Sequence, residues 1–124
     1  MGKKILWIED DALLGSILGK TLRENGYDLM IMRNAKDALD ALGQYVPDLI
    51  IADILMPGEM NGFDVLREIH GDPRFEGVPR IVLSNLNNTA DLERAKGYGV
   101  SKFIVKADSS IEKILNDIDM QLKK

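Results

Sequence analysis

Cysteine is absent from the 124 residues and histidine occurs once. Disulfide cross-links are thereby excluded, and so are the Cys- and His-rich ligand sets that hold zinc. A cysteine-free chain suits a reducing cytosol, and a cytoplasmic location is the expectation. The opening MGKKILWIEDD has four apolar residues between its basic pair and three acids, fewer than the ~7–15 of a signal-peptide core. Its sixth residue is Leu6, where a myristoylation signal needs Ser or Thr. Basic clusters are missing too: the 16 Lys and Arg are scattered among 20 acidic residues, for a net charge of −4. Direct nucleic-acid binding is not expected from such a surface. Neither a G-x-G-x-x-G turn nor a P-loop occurs, which removes the common nucleotide-binding classes. No Pro-rich or low-complexity segment divides the chain.

What remains is an ordinary globular balance, 45% apolar and 29% charged. One domain over residues 1–124 is expected, large enough to bury a core without cross-links. Short apolar runs alternate with amphipathic stretches: KILWIE and then 12–25, YDLMIM and then 35–45, DLIIAD and then 62–70, RIVLSN and then 89–97, KFIVKA and then 110–123. Strands so continuously apolar are expected where helices cover both faces of a sheet, so five strand–helix repeats predict an α/β fold with a doubly wound parallel sheet. Asp11, Asn34 and Asn88 stand at N-cap positions, and Ser109 with Glu112 fits a capping box. Gly26 and Gly71 read as helix stops. Trp7 is expected in the core, and the lone His70 is given a structural role.

Ligands of an open parallel sheet bind beyond the carboxyl ends of its strands. There the sequence places Glu9, Asp10 and Asp11 after strand one, Asp53 after strand three, Ser84 after strand four and Lys106 after strand five. A strand order of 2-1-3-4-5 makes neighbours of the ends carrying Asp10, Asp53, Ser84 and Lys106. Carboxylates held together repel unless a cation compensates, and oxygen ligands without His or Cys select Mg²⁺ or Mn²⁺. An aspartate beside a divalent cation, a lysine and a hydroxyl is equipped to take a phosphoryl group as an acyl phosphate.

With Glu9-Asp10 after an apolar strand, IADILMPGEMNGFDVL around Asp53, VLSN at Ser84 and FIVKA at Lys106, the whole chain resembles the receiver domains of two-component response regulators. Ser84 lies 31 residues after Asp53 and Lys106 lies 22 after Ser84, which matches that family once one extra residue is allowed in MPGEMNG. The resemblance implies a flavodoxin-like (βα)5 fold and a stand-alone signalling switch. It implies Asp53 as acceptor, with Ser84 and Lys106 serving the phosphoryl group. Asp10 would hold the metal directly, Glu9 through water, and the backbone carbonyl of Leu55 would complete the protein ligands; Phe103 takes the aromatic switch position. The donor would be a histidine kinase or a phosphotransfer protein, and the signal would leave through an output protein responding at the fourth helix, fifth strand and fifth helix, or through onward phosphotransfer in a relay.

Such a chain takes and sheds its own phosphoryl group and is not otherwise an enzyme. A haloacid-dehalogenase phosphatase needs a second acid two residues after its nucleophile, and Leu55 stands there. An FMN protein needs a hydroxyl- and glycine-rich loop where this chain has acidic EDD. An adapter that ignores phosphate would not need the full acceptor set. Two departures carry expectations of their own. Ala107 replaces the usual cis-proline after the site lysine, so Lys106-Ala107 is expected to be trans, a cis bond to a non-proline residue costing ~2.5–4 kcal/mol. Leu55 and Leu86 occupy the positions from which the family steers hydrolytic water, which predicts a long-lived phosphorylated state. Asn85, bulkier than the residue usual there, either narrows access further or holds the water.

Overall fold

A computed structural model describes residues 2–86 and 88–123. Its elements in chain order are β1 (Lys4–Ile8), α1 (Ala12–Glu24), β2 (Asp28–Met32), α2 (Ala35–Leu42), β3 (Leu49–Ala52), α3 (Gly62–His70), β4 (Arg80–Ser84), α4 (Thr89–Gly97), β5 (Lys102–Val105) and α5 (Ile111–Leu122), with short 3₁₀ turns at Pro73–Phe75 and Lys106–Asp108. The five strands are parallel in the order β2-β1-β3-β4-β5. No helix among the described residues is long and apolar enough to cross a membrane.

The continuous apolar strands follow from a sheet covered on both sides. Leu6, Ile8, Ile50, Ala52 and Val82 pack with Ala38 and Leu42 of α2, Phe63 and Leu66 of α3 and Ala95 of α4. The alternate residues Ile5, Trp7, Ile51, Leu83 and Ile104 pack with Leu18 and Leu22 of α1 and Ile114 and Ile118 of α5. Side chains of successive strand residues point to opposite faces, so a strand buried on both sides must be apolar throughout.

Local chemistry starts most helices where the sequence predicts. The side chain of Asp11 accepts from the N–H groups of Leu13 and Leu14, Asn34 from Asp37 and Asn88 from Asp91. Gly26 adopts a φ of 89°, the left-handed stop that favours glycine. Gly71 caps α3 at a φ of −86°, so it stops the helix without that conformation. Two expectations are corrected. The second helix ends at Leu42 and not at 45, because Gln44 and Tyr45 turn back onto Ala41 and Pro47 disfavours helical backbone in the residue before it. The predicted capping box does not form at Ser109, whose N–H is bound to the Lys106 carbonyl; Ser110 caps α5 instead, accepting from Lys113. A capping box does form at Asn61 and Asp64 on α3. No peptide bond among the described residues is cis, so Lys106-Ala107 is trans as expected.

At the end of the sheet remote from the acids, Arg80 is 6% exposed and has no carboxylate partner among the described residues. Its guanidinium donates to the carbonyls of Val78, Tyr98 and Phe75, and Nη1 lies 3.3 Å from His70 Nδ1. These acceptors include the carboxyl ends of α4 and the Pro73–Phe75 turn, while His70 ends α3. Helix C-termini carry partial negative charge, which compensates the buried cation. His70 thus contacts the guanidinium from the end of α3. On the other face Tyr27 donates to Asp119 of α5; burial first, and then the carboxylate, raise the phenol's pKa.

Candidate functional site

Strand register assembles the acids. Ile8 pairs with Ala52, so the next residue of each strand, Glu9 and Asp53, leave the sheet side by side. The Asp53 N–H donates to the Ile8 carbonyl at 3.1 Å and the Glu9 N–H to the Met32 carbonyl at 2.9 Å, which fixes both backbones. A Cβ on Gly62 would sit 2.1 Å from the Asp53 carbonyl oxygen. Only glycine lets α3 begin that close behind the aspartate.

Asp53 and Glu9 are buried, whereas Asp10 is exposed. One carboxylate oxygen from each of the three lies within 4.8 Å of the others. Lys106, just past β5, reaches across to them: its Nζ is 2.6 Å from Asp53 Oδ2 and 2.9 Å from Glu9. The Leu55 N–H donates to Asp53 Oδ1 at 3.1 Å, and the Asp11 N–H to Glu9 Oε2 at 3.1 Å. Asp11 caps α1 through its own side chain, so it stays outside the acid cluster.

Burial raises the Glu9 pKa; the Lys106 and Asp11 hydrogen bonds oppose this, and the Asp53 charge adds to it. Burial works against the Lys106 ammonium, but its hydrogen bonds to Asp53 and Glu9 and their charges prevail and raise its pKa. Charge balance contributes to both shifts, though burial is the larger cause for Glu9. Three carboxylates face one ammonium, so the lysine has a surplus of anions and Glu9 a deficit of cations.

With that deficit, two negative charges in formal terms, the cluster could bind a divalent cation. Glu9 Oε1 is buried and lies 2.9 Å from the Lys106 ammonium. All-oxygen donors suit a hard cation. The residues therefore fit such an ion.

Ser84 is fully buried at the end of β4. Its hydroxyl accepts a long 3.4 Å bond from the Leu86 N–H and makes none to Asp53. Phe103 is half-buried beside β4 and packs, with Leu86, against the core under α2–α4. Leu55 is 57% exposed. It lines, with Asp10, Met60, Leu86 and Arg94, a cavity of about 620 Å³ beside the acids.

Three features escaped the sequence. Lys106 binds Glu9 as well as Asp53. Arg94 of α4 stacks its guanidinium carbon 4.1 Å from the centre of the Phe63 ring, at the edge of that cavity. Asn85 Oδ1 accepts the Ala107 N–H at 2.9 Å, so this oxygen is engaged by protein. The unusual residue at 85 was visible in the sequence, but its partner 22 residues away was not.

Comparison with known proteins agrees with this geometry. Residues 5–119 match the family model described as the response regulator receiver domain. The DNA-binding response regulator MtrA of Mycolicibacterium paratuberculosis is 35% identical over 106 residues, 86% of this chain and 45% of that protein. The Regulator of RpoS of Escherichia coli is 33% identical over 114 residues, 92% of this chain and 33% of that protein. The chain thus spans less than half the length of these relatives. Among solved structures, the receiver domain of a signal transduction histidine kinase from Syntrophus aciditrophicus superposes with a TM-score of 0.86 at 32% identity, covering 98% of this chain and 90% of that one. A CheY-like receiver from Methanospirillum hungatei shares the fold, with a TM-score of 0.89 at 22% identity over 98% of this chain and 94% of the other.

Proposed function

The chain belongs to the response regulator receiver domain family, and on that premise we propose that Asp53 takes a phosphoryl group from the phosphohistidine of a histidine kinase or phosphotransfer protein. The observation that carries this is the Lys106 ammonium bridging Asp53 and Glu9 at 2.6 and 2.9 Å, with Asp10 completing the acid cluster. In the transfer an Asp53 oxygen forms a bond to phosphorus as the P–N bond to the imidazole breaks, and the electron pair leaves with the donor ring. The Leu55 N–H and Lys106 hold the two oxygens of Asp53 in fixed directions, so little reorganisation precedes attack. Lys106 then faces the charge that develops on the phosphoryl oxygens. Mg²⁺ is the proposed ion, held by Glu9, Asp10, Asp53 and the Leu55 carbonyl. When bound it supplies positive charge to the phosphoryl oxygens. Ser84 is the proposed hydrogen-bond donor to one of those oxygens.

The protein is in this reading a switch that phosphorylates and dephosphorylates itself, without turnover of a separate substrate. The phosphatase alternative fails on Leu55, an apolar, exposed side chain where a second acid is required. Phosphorylation would shift the population of states at α4, β5 and α5, through Ser84 and Phe103, toward one that an output protein binds. The site of action is the cytoplasm, in keeping with the cysteine-free composition. The test is phosphotransfer from labelled phosphohistidine donors with Mg²⁺. One acid-stable, base-labile label is expected on Asp53, absent in Asp53→Asn and in excess EDTA. Quantitative label in Asp53→Asn would refute the acceptor.

A further inference from the structure

Lys106 opens a 3₁₀ turn, Lys106–Asp108, that lacks a cap of its own: Val105, the residue before it, gives no side-chain hydrogen bond to the N–H groups of the turn. The first N–H groups of any helical turn have no partner within the turn and must find one elsewhere. Here the partner comes from a different strand. Asn85 Oδ1 accepts the Ala107 N–H at 2.9 Å. Because Oδ1 is the atom that receives an N–H, the orientation of the amide is settled.

The place of this bond matters. Asn85 directly follows Ser84, and Ala107 directly follows Lys106. Ser84 and Val105 are paired in register at the last rung of the β4–β5 ladder. The Asn85–Ala107 bond therefore continues the cross-link past the end of the sheet, beyond the point where backbone pairing stops. It joins the segment presenting the hydroxyl to the segment presenting the ammonium. The bond needs a backbone N–H at 107 and a side-chain acceptor at 85. A proline at 107 has no N–H to donate, and an alanine at 85 has no acceptor to receive one.

We propose that Asn85 is a positioning residue for Lys106, capping its turn from the neighbouring strand so that the ammonium stays on Asp53 and Glu9. Lysine is a flexible four-carbon stem ending in a point charge, so where that charge sits depends on how firmly its backbone is held. Sheet pairing through Val105 holds the lysine on its N-terminal side. Asn85 holds it on the other. The kinetic consequence rests on the acceptor reading given above; the structural consequence does not.

The test compares wild type with Asn85→Ala, Ala107→Pro and the double variant. One measurement is phosphorylation by acetyl phosphate with Mg²⁺ across donor concentrations. The other is the ¹⁵N-detected side-chain ammonium signal of Lys106 in metal-free protein. In Asn85→Ala the saturating phosphorylation rate should fall about 3- to 10-fold, the range that one modest hydrogen bond commands, with the half-saturating donor concentration unchanged. The Lys106 ammonium signal should broaden and exchange faster with water. In the Ala107→Pro background, where no N–H asks for a cap, adding Asn85→Ala should change neither readout. An Asn85→Ala protein with wild-type rate and wild-type ammonium signal overturns the proposal, and so does an equal loss in both backgrounds. If wild type takes no phosphoryl group, the acceptor reading falls, and the ammonium signal still decides the role of Asn85.

Discussion

Replacing Lys106 with Met keeps most of the side-chain volume and removes the ammonium that bridges Asp53 and Glu9 at 2.6 and 2.9 Å. Three carboxylates then share a space in which their oxygens lie within 4.8 Å of one another. At an effective dielectric of ~20, two unit charges at that separation repel by roughly 3.5 kcal/mol. Removing one partner of a buried pair typically costs ~3–5 kcal/mol. The exposed Asp10 contributes less than a buried acid would, and Glu9 can escape by taking a proton at ~1.4 kcal/mol per pH unit above its pKa. The expected destabilisation in EDTA is therefore about 3 kcal/mol at pH 8 and smaller at pH 5. The direction in pH follows from linkage. A carboxyl whose folded pKa is raised binds its proton more tightly in the folded state, so that stabilisation is present at low pH and is lost as pH rises through the raised value. Loss of the Lys106 hydrogen bond, which lowers the Glu9 pKa, raises it further. Urea unfolding followed by the fluorescence of the single, buried Trp7 measures this directly. Mg²⁺ should stabilise the variant more than wild type. A loss under 1 kcal/mol that is the same at both pH values, or equal Mg²⁺ stabilisation of both proteins, would refute the account of the acid cluster.

Mg²⁺ at 100 times its dissociation constant should stabilise wild type by about 2.7 kcal/mol, and Asp10→Asn should need a higher concentration for the same gain; a melting temperature indifferent to Mg²⁺ would remove the ion from the site. Arg80→Leu should cost about 3 kcal/mol, because it takes the guanidinium donor from the carbonyls of Val78 and Tyr98 and one of two donors from that of Phe75, which keeps the Val78 N–H; denaturant melts test this, and Mg²⁺ affinity should be unchanged at the far end of the sheet. The phosphorylated state should be long-lived, since Leu55 and Leu86 line the cavity beside the acids and neither can orient a water. Decay rates of wild type, Leu55→Asn and Leu86→Glu decide this: unaltered decay in both variants would mean the leucines do not set the lifetime.

The strands were legible because a sheet covered on both faces leaves no polar position to disguise them: Ile5 to Ile8 and Leu49 to Ala52 are all buried. Asp11, Asn34 and Asn88 were legible because each bonds an N–H two or three residues on. The acid cluster could be read once the strand order was, since the order decides which strand ends are neighbours. Features that depend on an unseen partner could not. Ser110 displaced Ser109 as cap because the Lys106–Asp108 turn consumes the Ser109 N–H, and nothing local announces that turn. The box at Asn61 and Asp64 uses amide and aspartate where a Ser or Thr with a Glu or Gln is the familiar pattern. Arg80 was invisible for a different cause: a buried arginine is expected to meet a carboxylate, and this one meets helix ends.

The acid cluster and the rest of the fold are coupled by opposition. Three carboxylates beside one ammonium do not assemble for their own benefit, since in the metal-free protein burial raises the Glu9 pKa and so penalises its charged form. They are brought together because β1 and β3 are pinned rung by rung through buried Ile, Leu, Trp and Ala side chains, each fully buried large aliphatic side chain contributing roughly 1.5–3 kcal/mol. The sheet can meet that cost, and strand register then leaves Glu9 and Asp53 no alternative position. Lys106 differs in kind. It follows β5, an edge strand of only four residues, and its turn lies beyond the last backbone pair. Register alone does not place it, which is why a side chain from β4's far side of the ladder, Asn85, has something to add there and nothing comparable is needed at Asp53.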